Sequence, residues 1–416
     1  MAGPLPIADP APKDGLLPKQ VLIDADARSF HAYVHIPFCK VRCGYCDFNT
    51  YTASELDGAS QADYAELVIS EIEFSNTVIQ NSGLPKRPLT TVFFGGGTPT
   101  QLPAAELVRI LNCLDETFGI ESGAEITTEA NPDTVDEEYL AELFRGGFNR
   151  VSFGMQSAVP EVLKTLERTH NPLNVPQVVA AAKKSGLAVS VDLIYGAPGE
   201  SIEDWRTSVV SAISMAPDHI SAYALIVEDG TKLARQIKSG QLGLPDEDLQ
   251  ADKYELADRL LSEAGYEWYE VSNWAKKIEG SDSLSSSAHN LSYWKSQDWW
   301  GYGPGAHSHA GGVRWWNVKH PSAYGSLITS GDSPAAGRET LSARTRLEER
   351  VLLEIRISNG LSIEIAKAAS PNAVSLIAGF IADGLIVPEQ AIRGTLMLTL
   401  KGRLLADSLV RKLLED

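Results

Sequence analysis

From residue 31 onward, short β-rich runs alternate with longer stretches of helical period, and this alternation limits the possible folds more than any single motif does. A strand repeatedly followed by a helix returns parallel to its predecessor, so the pattern predicts an α/β protein with a parallel sheet. Strands are expected near residues 32–36, 91–94, 125–128, 150–153, 188–194 and 219–225. Helices are expected between them, over about 61–81, 104–117, 136–144, 159–166, 176–185 and 202–215. Asp136-Glu137-Glu138, standing after a β-run, is one of several helix start signals. Six such repeats predict an incomplete (β/α)6 barrel, in which ligands sit at the C-terminal ends of the strands.

Three of the four cysteines, Cys39, Cys43 and Cys46, fall within eight positions just after the first expected strand. Their C-x3-C-x2-C spacing lets three thiolates converge on one small centre. Thiolates hold iron-sulfur clusters, and a cubane given only three leaves one iron open. Nothing secretory in the chain supports disulfides, and a zinc site needs a fourth ligand, for which His35 is nearest. The remaining Cys113 lies in an apolar periodic segment and reads as an inert buried thiol.

With 44% hydrophobic and 22% charged residues over 416 positions, the chain can build a sizeable core and is expected to form two or three units. A formal net charge of −18 argues against a general nucleic-acid or anionic-membrane binder, because phosphate surfaces select Lys and Arg. No run reaches the roughly 18 apolar residues of a spanning helix. The first 19 residues carry five prolines and no apolar core, so a disordered tail is expected over 1–29 instead of a signal peptide. A cytoplasmic location follows as an expectation, and clustered reduced thiols agree with it.

The cysteine spacing, with Tyr45 before the third cysteine, resembles the radical S-adenosylmethionine (SAM) superfamily. The resemblance implies a 4Fe-4S cluster on Cys39, Cys43 and Cys46, SAM on the open iron, and a partial (β/α)6 barrel. After the second strand, Gly95-Gly96-Gly97-Thr98-Pro99-Thr100 offers small residues that let a ligand approach the backbone, and it resembles the GGTPT motif that cradles the methionyl part of SAM. Singly, a polar residue at a strand end is more often a cap or turn former; several in register favour a site. A closer resemblance to the coproporphyrinogen dehydrogenase branch carries SAM contacts onto Tyr33, Tyr45, Gly96, Gly97, Thr98, Glu129, Gln156, Arg168, Asp192 and Ala224.

After about residue 228 the pattern changes to a helix over 248–264, a strand over 265–271 and an exposed serine-rich loop over 276–287. Seven of the eight tryptophans lie between Trp268 and Trp316, which suits equally a cover domain packed on the barrel and a surface for a large planar ligand. Residues 340–416 show helical period over 341–356, 373–384 and 403–414 and a strand-like run over 394–400, resembling a winged helix. Without a basic stripe, a packing or lid role is expected there in place of DNA binding. The expected division is a tail (1–29), a barrel (30–240), an aromatic-rich cover and haem-binding region (241–335) and a C-terminal α+β winged-helix-like domain (336–416).

His289-Asn290-Leu291-Ser292-Tyr293-Trp294 follows the serine-rich loop. A neutral imidazole is a good axial ligand for haem iron, although a lone His near tryptophans is by chemistry alone more often structural. The HNxxYW pattern resembles the haem-binding motif of the haem chaperone family HemW, which implies haem contacts at His289, Asn290, Tyr293 and Trp294. The run from Gly301 to Ser308 also resembles that family; His307 and His309 are candidates for a second ligand or for turn stabilisation. Oxygen-independent coproporphyrinogen III dehydrogenases carry C-x3-C-x2-C-x-C, whereas Phe48 stands here at the fourth cysteine, against that activity. Over roughly residues 30–400 the resemblance implies a 4Fe-4S cluster, SAM and haem as cofactors, haem-accepting proteins as partners, and an electron donor such as a flavodoxin or ferredoxin; a homodimer is compatible with it. The rivals are a dehydrogenase that decarboxylates coproporphyrinogen III through a 5′-deoxyadenosyl radical, and a zinc-bound winged-helix regulator.

Overall fold

The structure, a computed structural model, describes residues 9–53, 56 and 60–415. Its centre is built from β1 (Phe30–Ile36), α1 (Tyr64–Asn81), β2 (Leu89–Gly96), α2 (Ala104–Phe118), β3 (Ile120–Ala130), α3 (Glu137–Arg145), β4 (Arg150–Gln156), α4 (Pro160–Thr165), α5 (Val175–Ser185), β5 (Ala188–Tyr195), α6 (Ile202–Ser214) and β6 (His219–Ala224). Strands β1 to β6 lie side by side in chain order, and every neighbouring pair is parallel. Local caps set the helix starts: Asp136 accepts from the Tyr139 N–H at α3, and Ser201 with Asp204 forms a capping box at α6.

Along each strand the two faces differ with a period of two. On β6, Ile220 and Ala222 belong to the apolar core, while His219, Ser221 and Tyr223 line an internal cavity. The same alternation sets Val151 and Phe153 of β4 apart from Arg150, Ser152 and Gly154. Closed barrels are usually filled by layers of branched aliphatic side chains. Here the inward residues are mostly short or polar, so the lumen stays open.

Later residues extend this same sheet at both edges. Beyond α7 (Lys232–Lys238) and α8 (Glu247–Glu263), β7 (Tyr266–Glu270) pairs with β8 (Asn273–Lys276), and β8 runs antiparallel to β6. The chain then crosses through α9 (Ala288–Trp294) to β9 (Asp298–Tyr302), which runs parallel to β1. The antiparallel strands β10 (His307–Ala310), β11 (Val313–Asn317) and β12 (Ala335–Thr340), with α10 (Pro321–Thr329) before the last, complete a 12-stranded sheet. The tryptophan-rich stretch thus supplies flanks of the barrel sheet in addition to packing against it. Trp274, Trp300, Trp315 and Trp316 are buried, and the rings of Trp300 and Trp315 meet edge to face at 4.8 Å.

The C-terminal unit comprises α11 (Ala343–Glu354), β13 (Leu361–Ser362), α12 (Ile363–Ala369), α13 (Ala373–Ala382), α14 (Pro388–Ile392), β14 (Thr395–Leu396), α15 (Leu400–Leu404) and α16 (Ala406–Leu414). It has its own apolar core around Val351, Ile377, Phe380, Leu396 and Leu413. The strand expected over 394–400 contracts to the two residues of β14, because Thr399 caps a new helix by accepting from the Gly402 N–H at 3.0 Å. Arg403 ties this unit to α8: it bonds Asp258 at 2.9 Å and lies 4.4 Å over the Trp268 ring.

The expected disordered tail needs correction over its described part, residues 9–29; residues 1–8 lie outside the described residues. Asp9 and Arg338 exchange backbone hydrogen bonds of 3.1 and 2.9 Å along β12. Val21 and Ala25 enter the core, and Arg28 reaches the buried Asp298 at 2.8 Å, where Arg87 also pairs at 2.9 Å. Proline fixes φ in advance, so an extended segment rich in it loses little further entropy when it docks.

Glu71 on α1 is the fastener between the helix layer and the sheet extension. It is buried and accepts from the Gly303 N–H at 2.7 Å, Asn317 Nδ2 at 2.7 Å and the Tyr324 hydroxyl at 2.6 Å. Truncation would leave these donors without their acceptor inside the protein. We expect Glu71→Ala to lose about 3 kcal/mol or more, read as a lower urea midpoint, at about 1–3 kcal/mol for each stranded group.

Candidate functional site

The three clustered cysteines sit on the loop between β1 and α1. That loop is pinned at several points: the Cys39 N–H donates to Tyr51 O at 3.0 Å, Tyr51 N–H to Pro37 O at 2.7 Å, and Gly44 N–H to Leu166 O at 3.1 Å. The glycines at the end of β2 hold the loop from beneath. Gly97 N–H donates to Ile36 O and Thr98 N–H to Phe38 O, both at 2.8 Å, and a Cβ on Gly97 would come within 2.6 Å of Phe38 O. Gly96, at φ +110°, lies against the His35 ring in the same way. Besides lining the cavity, these glycines therefore admit the cysteine loop itself.

Cys39, Cys43 and Cys46 are half-buried, unbridged, and line one cavity. Burial pushes the Cys46 thiol up to about 12 and also raises Cys39, so neither thiolate is stable there without a positive partner. The Arg168 guanidinium supplies one nearby cation, with Nη1 donating to Cys43 Sγ at 3.6 Å and Nη2 to Gly154 O at 2.9 Å. His35 does not complete a zinc site, because its ring is held by the Tyr33 hydroxyl at 3.0 Å and by Asn49 O at 2.9 Å. Among the described residues, no three His, Cys, Asp or Glu side chains gather tightly enough to hold a single ion.

At the ends of the strands, Glu129 Oε2 accepts from the Gly96 N–H at 3.1 Å. Burial, then the neighbouring Asp192, pushes the Glu129 carboxyl up to about 8. Asp192 accepts from the Ser152 hydroxyl at 2.8 Å. Gln156 has φ +58° at a register shift between β4 and β5, and its buried Oε1 has no hydrogen-bond partner in the protein. Left-handed backbone at a non-glycine residue costs about 1–3 kcal/mol and clusters at functional sites. Of the ten positions expected to contact SAM, nine line this cavity; Ala224, at the end of β6, does not.

His289 approaches from the opposite end. Glu125 caps its helix, accepting from the Ala288 and His289 N–H groups at 3.0 Å each, with Arg150 Nε 3.3 Å from the Glu125 carboxylate. Since Glu125 and Arg150 stand near the starts of the parallel strands, α9 closes the N-terminal end of the barrel. The His289 ring stacks on Phe93 with centroids 5.1 Å apart, Nδ1 lies 2.6 Å from the Thr91 hydroxyl, and Nε2 lies 2.8 Å from the Tyr293 hydroxyl. Burial holds its pKa well below the ordinary range, so the ring is neutral. His289, Asn290 and Tyr293 line the cavity, and Trp294 does not. His309 bonds Gln297 O at 2.9 Å and accepts from the Gly312 N–H at 3.0 Å, and His307 stacks on Trp316; neither lines the cavity.

One cavity of about 1200 Å³ therefore runs from the cysteine loop to α9. Sequence reasoning missed several of its walls, among them Phe93, Arg150, His219 and Asn273. The period of two could have found one of them, since it puts Arg150 on the same face of β4 as Gln156; Phe93 and His219 stand an odd number of positions from Gly96 and Ala224 and carried no such signal.

Residues 33–210 match the Radical SAM superfamily. The coproporphyrinogen III oxidase HemN from Escherichia coli, described as a radical SAM enzyme, superposes with a TM-score of 0.77 at 22% identity, covering 96% of this chain and 94% of that one. This defines a radical SAM fold. A protein of Mycobacterium tuberculosis named heme chaperone HemW is 43% identical over 386 residues, 92% of this chain and 95% of its own. A heme chaperone HemW of Bacillus subtilis is 34% identical over 333 residues, 80% of this chain and 84% of its own. The chain belongs to the HemW family.

Radical SAM membership implies a 4Fe-4S cluster and SAM. The donors fit: three unbridged thiols face one cavity, and the unpartnered Gln156 Oε1 lies in its wall. Buried carboxyls in this region make stability depend on pH. Glu129 and Glu270 both rise from 4.5 to about 8 through burial, so between those values the folded protein holds protons that the unfolded chain has released. Below the ordinary histidine range this is opposed by buried histidines such as His31 and His289, whose lowered pKa values make stability rise with pH. Above that range the carboxyl contribution is unopposed by them, so stability of the cofactor-free protein is expected to fall between about pH 7 and 8, and Glu129→Gln should flatten that fall in urea titrations.

Proposed function

We propose that this protein is a haem chaperone that takes up haem within the barrel cavity at His289 and passes it to acceptor proteins. The observation that carries the reading is the continuity of one cavity between the cysteine loop and the HNxxYW helix. Its volume, about 1200 Å³, exceeds the roughly 300–1,000 Å³ of a pocket for one drug-sized ligand and leaves room for a second large ligand beside SAM. Neutral His289, stacked on Phe93 and reaching the cavity wall, has the chemistry of an axial ligand. We assign Asn290, whose Nδ2 donates to Glu270 at 3.2 Å, to holding the helix against the cavity wall. Trp294 is assigned to supporting α9 from outside the cavity.

Cys39, Cys43 and Cys46 would hold the cluster, which with SAM supplies reductive one-electron chemistry. Tyr33, Tyr45, Gly96, Gly97, Thr98, Glu129, Gln156, Arg168 and Asp192 would hold SAM along the strand ends. A flavodoxin- or ferredoxin-type donor would suit that cluster. Among the described residues no helix is long and apolar enough to cross a membrane.

Coproporphyrinogen dehydrogenation is the second reading, favoured by the shared fold. Against it, Phe48 lines the cavity mouth, 60% exposed, where that branch carries a cysteine.

The deciding experiment is an anaerobic haem titration of cluster-reconstituted protein, followed by absorbance, beside His289→Ala. Wild type should saturate near one haem per chain and the variant should lose the axial-ligand spectrum; identical spectra would overturn the assignment of His289. In parallel, Cys43→Ala should lose most bound iron and acid-labile sulfide while still binding haem, measured by iron and sulfide analysis.

A further inference from the structure

The buried side of His289 belongs to a chain of hydrogen bonds whose direction can be worked out from its far end. At the far end, the Gln297 amide is oriented unambiguously: Nε2 donates to Lys295 O at 2.9 Å, and Oε1 accepts from the Ser29 N–H at 2.9 Å. Ser29 Oγ lies 3.0 Å from that same Oε1. Two oxygens so close repel unless a hydrogen lies between them, and only serine has one to give. The Ser29 hydroxyl is thereby committed to Gln297.

Each following bond then has one possible sense. Ser29 Oγ and His31 Nε2 are 2.8 Å apart, so His31 must donate through Nε2–H. A neutral imidazole carries one N–H, which leaves His31 Nδ1 as an acceptor. Burial lowers the His31 pKa to about 4 and keeps this ring neutral. Thr91 Oγ1, 2.8 Å away, donates its only hydrogen to His31 Nδ1. The 2.6 Å contact between Thr91 Oγ1 and His289 Nδ1 must then be a donation from His289 Nδ1–H. His289 Nε2 is left with its lone pair, which accepts from the Tyr293 hydroxyl at 2.8 Å.

We propose that the chain Gln297–Ser29–His31–Thr91 locks His289 in the Nδ1–H tautomer, so that Nε2 offers its lone pair at the cavity wall and Tyr293 stands as its displaceable partner. Thr91 and His31 are positioning residues in this scheme, acting on haem only through His289. The role as a haem ligand rests on the proposed function; the tautomer does not. An imidazole that binds a metal through one nitrogen generally donates its other N–H to a fixed acceptor, which orients the ring and raises its basicity. Here the acceptor is a threonine hydroxyl, whose own hydrogen is held by His31. The Tyr293 hydroxyl satisfies Nε2 in the empty cavity, so the buried lone pair is not left unpaired, and the tyrosine must turn aside when iron takes its place.

The test reads the tautomer in haem-free protein by long-range ¹H–¹⁵N correlation of histidine-labelled samples. The eight histidines are few enough to assign His289 by its absence in His289→Ala. Wild type should show His289 protonated at Nδ1 and bare at Nε2. Thr91→Val should lose that single tautomer, Thr91→Ser should restore it, and Gln297→Ala should mix the two by freeing Ser29 to donate to His31. Protonation of His289 at Nε2 in wild type, or an unchanged tautomer in both Thr91→Val and Gln297→Ala, would overturn the proposal. Haemin added to the same samples should bind Thr91→Val about 10–100-fold more weakly than wild type or Thr91→Ser. If wild type shows the Nδ1–H tautomer yet never yields an axial-histidine spectrum, the lock stands and the haem reading falls.

Discussion

A barrel whose inward side chains are short or polar cannot fill its own lumen, and this constraint governs the rest of the molecule. Ser152 and Gly154 on β4, Ser190 and Asp192 on β5, and Ser221 on β6 leave space where a packed barrel would place branched aliphatics. Their outward neighbours Val151, Phe153, Val191, Leu193 and Ile220 are fully buried against the surrounding core. Stability thus comes from the outer face of the sheet and from the layers on it, while the inner face is free for ligands.

The two ends of that lumen are closed by different means. At the C-terminal ends of the strands the cysteine loop is held by backbone bonds to the glycine run after β2, with Arg168 between the loop and β4. At the N-terminal ends, α9 is seated by Glu125, Arg150 and Thr91. Glu71 couples α1 to the Gly303 turn and to α10, and the Tyr64 hydroxyl on the same helix donates to His35 O near the end of β1. One helix is therefore bonded both to the sheet extension and to the strand that leads into the cysteine loop.

Much of the fold was legible because its elements are strongly periodic. Strand starts at Arg150, Ala188 and His219 and the helix start at Ile202 agree with the local signals of alternation and capping. The proline-rich segment was misread because composition reports the cost of ordering a chain but not the edge available to receive it: Asp9 finds Arg338, more than 300 residues away. The C-terminal strand shortened because Thr399 provides a cap that competes with extension. The aromatic stretch could not be resolved from composition, since Trp300 and Trp315 are core only because β9 and β11 join the barrel sheet.

By itself the sequence determined the order of strands and helices, the three thiols on one short loop, and the polar residues that alternate along each strand. Those are local properties, set by spacing and by the chemistry of neighbours in the chain. Tertiary structure alone decided that the cysteine loop and His289 open into one cavity, because 243 positions separate Cys46 from His289 and only the assembled sheet brings them to opposite ends of a shared lumen. It also decided which nitrogen of His289 carries the proton, since Gln297, Ser29, His31 and Thr91 meet only where β1, β2 and the start of β9 lie side by side.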